Sequence, residues 1–328
     1  MEVAFFPLSG VLQHQFLQIL RSHRQTLQCH QLGAAVHPLI TRSGHTALIV
    51  RLNDPDEVFQ NEERYTSLDS DVHMARSAAL VTGGAKRIGA AICLHLAQKG
   101  YSVAVHHNSS AKEAEQLVDK IRQLGVESCT VKGDLSNPEE VVKIIAKASS
   151  QIGPVRHLVN NASKFKHDDL ETFDNKSWNE HMDVNAKAPL MLTREVLQNL
   201  PTDMSGSVVN ILDQKIAAPN PDHISYTASR YALLGITEAL ARGLAPRLRI
   251  NAVAPGHTLA SPDQTEAGFS RAQSGSPLGY GPSPEDIAQA VVFLIEAKSI
   301  TGQVIFVDAG ERFLSRSRDV VFETEEAQ

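Results

Sequence analysis

Tyr226 and Arg230 stand at i and i+4 in the run Ser225-Tyr226-Thr227-Ala228-Ser229-Arg230. On a helix they share one face, with Cβ atoms about 6 Å apart. A cation beside a phenol favours the phenolate. At ~4 Å and an effective dielectric of ~20, such a pair is worth about 4 kcal/mol. That is enough to pull a tyrosine from its usual pKa near 10 toward about 7, where it becomes a useful proton donor. A carboxylate, Asp213, closes the apolar run Val208–Leu212 some twelve residues before Ser225. By itself a Tyr/Arg pair is also what an exposed helix carries, so the elements that would position it decide its weight.

Those elements begin at Ser77. Ala78-Ala79-Leu80-Val81 has the continuous apolar run of a buried parallel strand. Thr82-Gly83-Gly84-Ala85-Lys86-Arg87-Ile88-Gly89 follows, then an apolar-periodic helix from Ile88 to about Gln98, stopped by Gly100, and a second strand from Ser102 to Val105. Strand, glycine turn, helix, strand is the context of a dinucleotide-binding loop. Its glycines let backbone approach a pyrophosphate, and the helix N-terminus supplies N–H donors. The spacing is G-x-x-x-R-x-G, so Arg87 puts a fixed charge where a glycine is commoner.

An NAD site usually carries an acidic residue about 20 residues after the loop. Here the second strand runs into His106-His107-Asn108-Ser109-Ser110, and no carboxylate follows until Glu113. With Lys86 and Arg87 close by, this donor set suits a 2′-phosphate and predicts NADPH/NADP+. The same Asn-Ser-Ser run is also an ordinary polar turn.

Further units repeat the pattern. Helices are expected at 111–124 and 139–152, with strands at Ser128–Lys132, leading to Gly133-Asp134-Leu135, and His157–Val159, leading to Asn160-Asn161-Ala162-Ser163. A helix from Ser225 to Leu244, another over 285–297 and a strand over 302–307 complete the series. Alternating strands and helices predict an α/β fold: a Rossmann-like, doubly wound parallel sheet in a single domain. Ligands bind beyond the carboxyl ends of such strands. The Gly/Ser/Pro-rich stretch 257–284 is expected to be an irregular substrate loop. The charged tail from Glu311 is open between a disordered end and one reaching a neighbour's pocket.

Composition narrows the class. The 328 residues are 42% apolar and 21% charged, with a net charge of -6. A mild acidic excess argues against a nucleic-acid partner. No apolar run reaches the roughly 18 residues of a membrane helix, and the first twenty residues lack the basic start of a signal peptide. Cys29, Cys93 and Cys129 have no CxxC spacing, which gives neither a disulfide framework nor a metal site. A reduced, cytoplasmic protein is expected. All thirteen lysines lie from Lys86 onward, whereas six of the fourteen histidines precede Met74. Residues 1–73 are therefore expected to be an N-terminal extension, disordered or not native, with translation starting at Met74; a real appendage of unknown role is the alternative. Within it Val11–Leu20 reads as a short helix, Thr46–Leu52 as a strand, and Asn53–Asp71 as a linker.

Thr82-Gly83-x-x-x-Arg87-x-Gly89, Asn160-Asn161-Ala162, Val184-Asn185-Ala186, Tyr226 and Pro255-Gly256 together resemble the short-chain dehydrogenase/reductase family, from Ser77 to about Gly310. Within it the chain looks most like the pteridine reductases, including the dihydromonapterin reductase type. The loop, Phe165 after Asn-Asn-Ala-Ser, and Asp213 where most members place serine carry that likeness. The resemblance implies a catalytic Tyr226 with Asp213 as acidic partner, Arg230 in place of the family's lysine, and Asn185 holding a water-linked proton path. It implies cofactor contacts from Gly83, Lys86, Arg87, Ile88, Gly89, His107, Asn108, Ser109, Ser110, Asp134, Leu135, Asn161, Ala162, Arg230, Pro255, Gly256 and Thr258. Arg87, Ser163, Phe165, Asp213 and Tyr226 would meet the substrate, with Phe165 stacking on a pterin. A homotetramer is implied too.

Aspartate in place of serine has a chemical rationale. Reducing a C=N bond needs hydride on carbon and a proton on nitrogen, and a partly buried carboxyl can stay neutral and donate, or polarise Tyr226. A ketone reductase needs only a donor to an oxyanion. The expectation is thus a pterin or folate C=N reductase. A carbonyl reductase of the same family is the alternative, and a non-catalytic dinucleotide-binding protein a third. Two departures matter. Arginine at 230 keeps the charge but cannot pass a proton on. Charged Lys164, Lys166, His167, Asp168 and Asp169 surround Phe165, which also reads as a core aromatic.

Overall fold

The computed structural model describes residues 6–7, 34–40, 46–52, 77–261 and 264–325. The chain divides into two compact units, Met1–Met74 and Ala75–Gln328. In the first, β1 (Phe6–Pro7), β2 (Ala34–Ile40) and β3 (Thr46–Leu52) form an antiparallel sheet in the order β1-β3-β2. The strand read at Thr46–Leu52 is β3. The helix expected at 11–20 and the linker at 53–71 lie outside the described residues.

The second unit is built on β4 (Ala78–Val81), β5 (Ser102–His107), β6 (Ser128–Lys132), β7 (Val155–Asn160), β8 (Gly206–Ile211), β9 (Leu248–Pro255) and β10 (Val304–Val307). All pairings are parallel, in the order β10-β9-β8-β7-β4-β5-β6. The strand order reverses beside β4, so the crevice of this doubly wound sheet opens between the ends of β4 and β7.

Side chains alternate across the strands, as the pleat requires. Ala79, Val81, Val103 and Val105 face one layer. That layer holds α1 (Arg87–Gln98), α2 (Ala111–Gln123) and α8 (Pro284–Glu296), through Ile92, Leu96, Leu117, Ile121, Ile287 and Val291. Ala78, Leu80, Ala104 and Leu158 face the other. There α3 (Pro138–Ile152) and α5 (Ala188–Asn199) supply Ile144, Ile145, Leu192 and Val196. Leu80, Ile92, Leu96, Ile144 and Leu158 are fully buried, each contributing on the order of 2 kcal/mol.

Four stretches differ from the expectation, the first being β9, a strand not marked from the sequence. Between β7 and β8, α4 (Asn175–Met182) runs through a π-turn, Asp183–Lys187, into α5. Its polar composition hides the helical period. The stretch 257–284 is not irregular throughout: α7 (Glu266–Ser274) lies within it, capped by Thr265 accepting from Gly268 N at 3.0 Å. The charged tail folds onto its own chain through a 3₁₀ turn, Glu311–Phe313, and α9 (Val320–Glu325). Among the described residues no helix is long and apolar enough to cross a membrane, and no His/Cys/Asp/Glu cluster could hold a metal.

Candidate active site

The carboxyl ends of β4, β5, β6, β7, β8 and β9 lie on one edge of the parallel sheet, and the candidate site residues are on that edge or on the helices flanking it. At the crevice the β4 and β7 loops are bonded together. Thr82 Oγ1 accepts from Asn161 N at 2.9 Å and Ala162 N at 3.0 Å. Asn161 Nδ2 donates to Thr82 O at 2.8 Å and Gly83 O at 3.2 Å. Gly83 takes a left-handed φ of 59°. A Cβ on Gly89 would stand 2.3 Å from Gly83 O and 2.6 Å from Asn161 Nδ2, so only glycine fits where α1 meets the loop.

A residue that sequence reasoning passed over holds this loop. Gly83 N donates to His106 Nδ1 at 3.2 Å, and the other ring nitrogen meets Gly133 O at 3.1 Å. Nδ1 is therefore the acceptor and Nε2 carries the hydrogen. Burial drives the His106 pKa down to about 4, with the bond to Gly133 opposing. The histidine pair ending the second strand was visible in the sequence, and the pleat turns the two rings to opposite faces. His107 is buried beside it, Asn108 and Ser109 are exposed, and Ser110 is half-buried at the start of α2. Lys86 Nζ pairs with Glu113 Oε1 at 2.8 Å on the surface. Arg87, at φ 55°, sends Nη2 to Ala260 O at 3.0 Å and so ties the loop to the chain after β9. Ile88 follows in α1.

Asp134 and Leu135 follow β6, Asp134 bonding Ser136 N at 2.9 Å and Leu135 buried. Pro255 ends β9, and Gly256 packs so closely that a Cβ would meet Asp308 Cα at 2.7 Å. Thr258 Oγ1 donates to Gly256 O at 3.0 Å.

The titratable centre lies between β7, β8 and α6 (Ile224–Gly243). Tyr226 Oη donates to Asp213 Oδ2 at 2.7 Å. Asp213 Oδ1 accepts from Lys215 N at 2.9 Å, capping the 3₁₀ turn Gln214–Ile216. One carboxylate thus holds the phenol hydroxyl and caps the turn. Arg230 is 3% exposed, its Cζ 4.8 Å from the centroid of the Tyr226 ring. Its Nη1 donates to Ile211 O at 3.0 Å and its Nη2 to Ser163 Oγ. The shared helix face is present, yet the expected lowering of the phenol pKa is not. Burial pushes Tyr226 well above the usual tyrosine range, Arg230 pulls it down and Asp213 pushes it further up. Burial outweighs the guanidinium, and the carboxylate on the hydroxyl adds to it. Tyr226 keeps its proton.

Asn185 sits in the π-turn, fully buried. Its Oδ1 accepts from Lys164 N at 2.7 Å, and its Nδ2 donates to Lys164 O at 2.9 Å and Ser229 Oγ at 3.0 Å. It joins the β7 loop to α6. Phe165, on that loop, is 42% exposed and not a core residue. It stacks on His223 at 4.3 Å and meets Tyr226 edge-on at 4.7 Å. The charged residues around it do not form one rim. Asp168 is buried, accepting from Ser177 Oγ at 2.6 Å and from Ser225 N at 3.1 Å at the start of α6. Burial opposes its ionisation, but those bonds hold its pKa below the usual range. Lys164 pairs with Glu180 at 3.1 Å.

Residues 77–268 match the family described as short chain dehydrogenase. The chain belongs to the short-chain dehydrogenase family. The 3-oxoacyl-[acyl-carrier-protein] reductase FabG of Staphylococcus epidermidis is 35% identical over 240 residues, 71% of this chain and 98% of that relative. Among solved structures, FolM alternative dihydrofolate reductase 1 from Brucella suis, in complex with NADP, is 40% identical with a TM-score of 0.70, covering 75% of this chain and 100% of that one. Its counterpart from Brucella canis, complexed with NADP, is 42% identical with a TM-score of 0.72, covering 75% and 97%. This short-chain dehydrogenase is thus an oxidoreductase on the doubly wound parallel sheet expected from its sequence.

Proposed function

We propose that the protein is an NADPH-dependent reductase of a planar C=N bond of pterin or folate type. The observation that carries this reading is the 2.7 Å bond between Tyr226 Oη and Asp213 Oδ2 beside the exposed face of Phe165. A carboxyl next to the tyrosine suits a reaction that must deliver a proton to nitrogen. An open aromatic face suits a flat substrate. The likeness to the FolM reductases supports the same reading.

The residues fit NADP(H). Gly83 and Gly89 close the loop so tightly that backbone lines the crevice. Lys86, Asn108, Ser109 and Ser110 offer donors around the end of β5, while the Arg87 guanidinium turns to the chain after β9. Glu113 is drawn onto Lys86, in an exposed pair of the weak kind that a 2′-phosphate can displace. His107, Asp134 and Leu135 would lie on the adenosine side. Ile88, Asn161, Ala162, Arg230, Pro255, Gly256 and Thr258 would hold the remainder. Bound NADPH supplies the hydride.

The chain's own part is the proton. Tyr226 holds it at Oη, because burial keeps the phenol neutral. On its transfer to the ring nitrogen, the Arg230 guanidinium over the ring stabilises the phenolate. Asp213 is half-buried and fixed by Lys215 N, placed to take up a proton from solvent and pass it to the Oη phenolate. Asn185 and Ser163 hold the Lys164 loop and Arg230 in register.

The FabG relatives favour a second reading, reduction of a ketone. Following NADPH oxidation with dihydrobiopterin and dihydromonapterin against 3-oxoacyl thioesters and simple ketones separates the two. The pterin reading expects kcat/KM for a pterin at least tenfold above any ketone; ketone turnover without pterin turnover overturns it. We also propose residues 74–328 as the catalytic domain, acting as a homotetramer in the cytoplasm. Sedimentation reads the oligomer size.

A further inference from the structure

Phe165 has only one face to offer. The other is covered by His223 at 4.3 Å with 21° between the rings, and its edge abuts Tyr226. His223 in turn has little room to retreat. Phe322 of α9 lies parallel behind it, at 6.3 Å and 19°. His167 closes the side, edge-on to both rings at 5.1 Å. The His223 backbone is left-handed, at φ 58° and ψ 49°, a conformation that a residue bearing a Cβ holds only with support from its surroundings. The three rings form a column leading from the C-terminal helix to the face beside Tyr226.

The tail that carries Phe322 is fastened to the centre itself. Lys215, buried, reaches Asp319 Oδ2 at 2.8 Å, and its backbone N–H holds Asp213. Asp222, the residue before His223, accepts from Arg318 Nε at 2.9 and 3.1 Å and from Asp319 N at 2.7 Å. Arg316 bridges Glu311 at 2.8 Å and Glu323 at 2.7 Å, and Arg271 Nη2 donates to Thr324 O at 2.6 Å. These bonds grip both ends of the segment between Asp213 and Tyr226.

We infer that the C-terminal segment Arg316–Thr324 is a substrate-positioning strap, in which Phe322, acting through His223, fixes the Phe165 face against which a flat substrate stacks. The inference rests on the reading of Phe165 as the substrate platform. Phe322 touches no reacting group, so it is a positioning residue. Its loss loosens the grip on a planar ring and leaves the proton machinery alone.

Steady-state kinetics of Phe322→Ala, Phe322→Leu and Phe322→Tyr test this, using a dihydropterin and an open-chain 3-oxoacyl thioester, with NADPH affinity and Tm measured alongside. The expected result is a roughly tenfold rise in KM for the dihydropterin in the alanine variant and a smaller rise in the leucine variant, which keeps bulk without a ring face. Tyrosine should restore KM to within twofold. Throughout, kcat, NADPH affinity and KM for the open-chain substrate should stay within twofold. An unchanged dihydropterin KM, an equal rise for both substrates, or a fall in kcat that tracks Tm would overturn the strap. If the wild type reduces no pterin, the C=N reading fails separately, and a planar aryl ketone against an open-chain ketone then judges the strap by the same outcomes.

Discussion

At the scale of single residues, the site is a contest over one proton. Burial and Asp213 keep it on Tyr226, and Arg230 prepares for its departure. Tyr226→Phe should lower kcat by about 10²–10⁴-fold, the range of a lost general acid, with NADPH affinity unchanged by fluorescence titration. Arg230→Lys keeps the charge but gives up the bonds to Ile211 O and Ser163 Oγ. It should lower kcat/KM several-fold; a faster variant in steady-state assay would mean that Arg230 handicaps the enzyme. The identities of these residues were legible in the sequence because chemistry selects residue types. Their electrostatic balance was not. An i,i+4 spacing gives the distance between Cβ atoms but neither the burial nor the partner of the hydroxyl, and those two reversed the expected direction of the Tyr226 pKa.

Elements place these residues. Short buried strands and amphipathic helices announced themselves by period, so the edge carrying the loops was legible from Ser77 onward except at β9, where Arg249 and Asn251 interrupt the apolar run. Polar α4, the π-turn under Asn185 and α9 were not, since their apolar positions are too few to show a period. His106 shows how tertiary context adds a role. Its depressed pKa means the unfolded chain takes up a proton below about 6.5, whereas the folded chain resists to about 4. That stability is complete above pH 6.5 and is lost as pH falls through 4, amounting to about 3 kcal/mol. Urea unfolding at pH 7 and pH 4 should show a smaller loss in His106→Asn than in the wild type. Gly89→Ala drives a Cβ into Gly83 O and should cost about 1–3 kcal/mol by the same assay, with NADPH binding weakened.

At the scale of the whole molecule, the chain divides into two compact units, Met1–Met74 and Ala75–Gln328, and every candidate site residue is in the second. A chain beginning at Met74 should unfold cooperatively and bind NADPH within twofold of the full chain. Thermal denaturation and fluorescence titration check both. The central claim is hydride delivery to a ring C=N bond with the proton supplied from the Tyr226–Asp213 pair. NADPH carrying deuterium at the transferred position, turned over with a dihydropterin and followed by mass spectrometry and NMR, tests it most directly. The prediction is one deuterium per product molecule, on a ring carbon of the tetrahydropterin. An unlabelled pterin, beside a 3-oxoacyl thioester reduced to a deuterated alcohol, would contradict it.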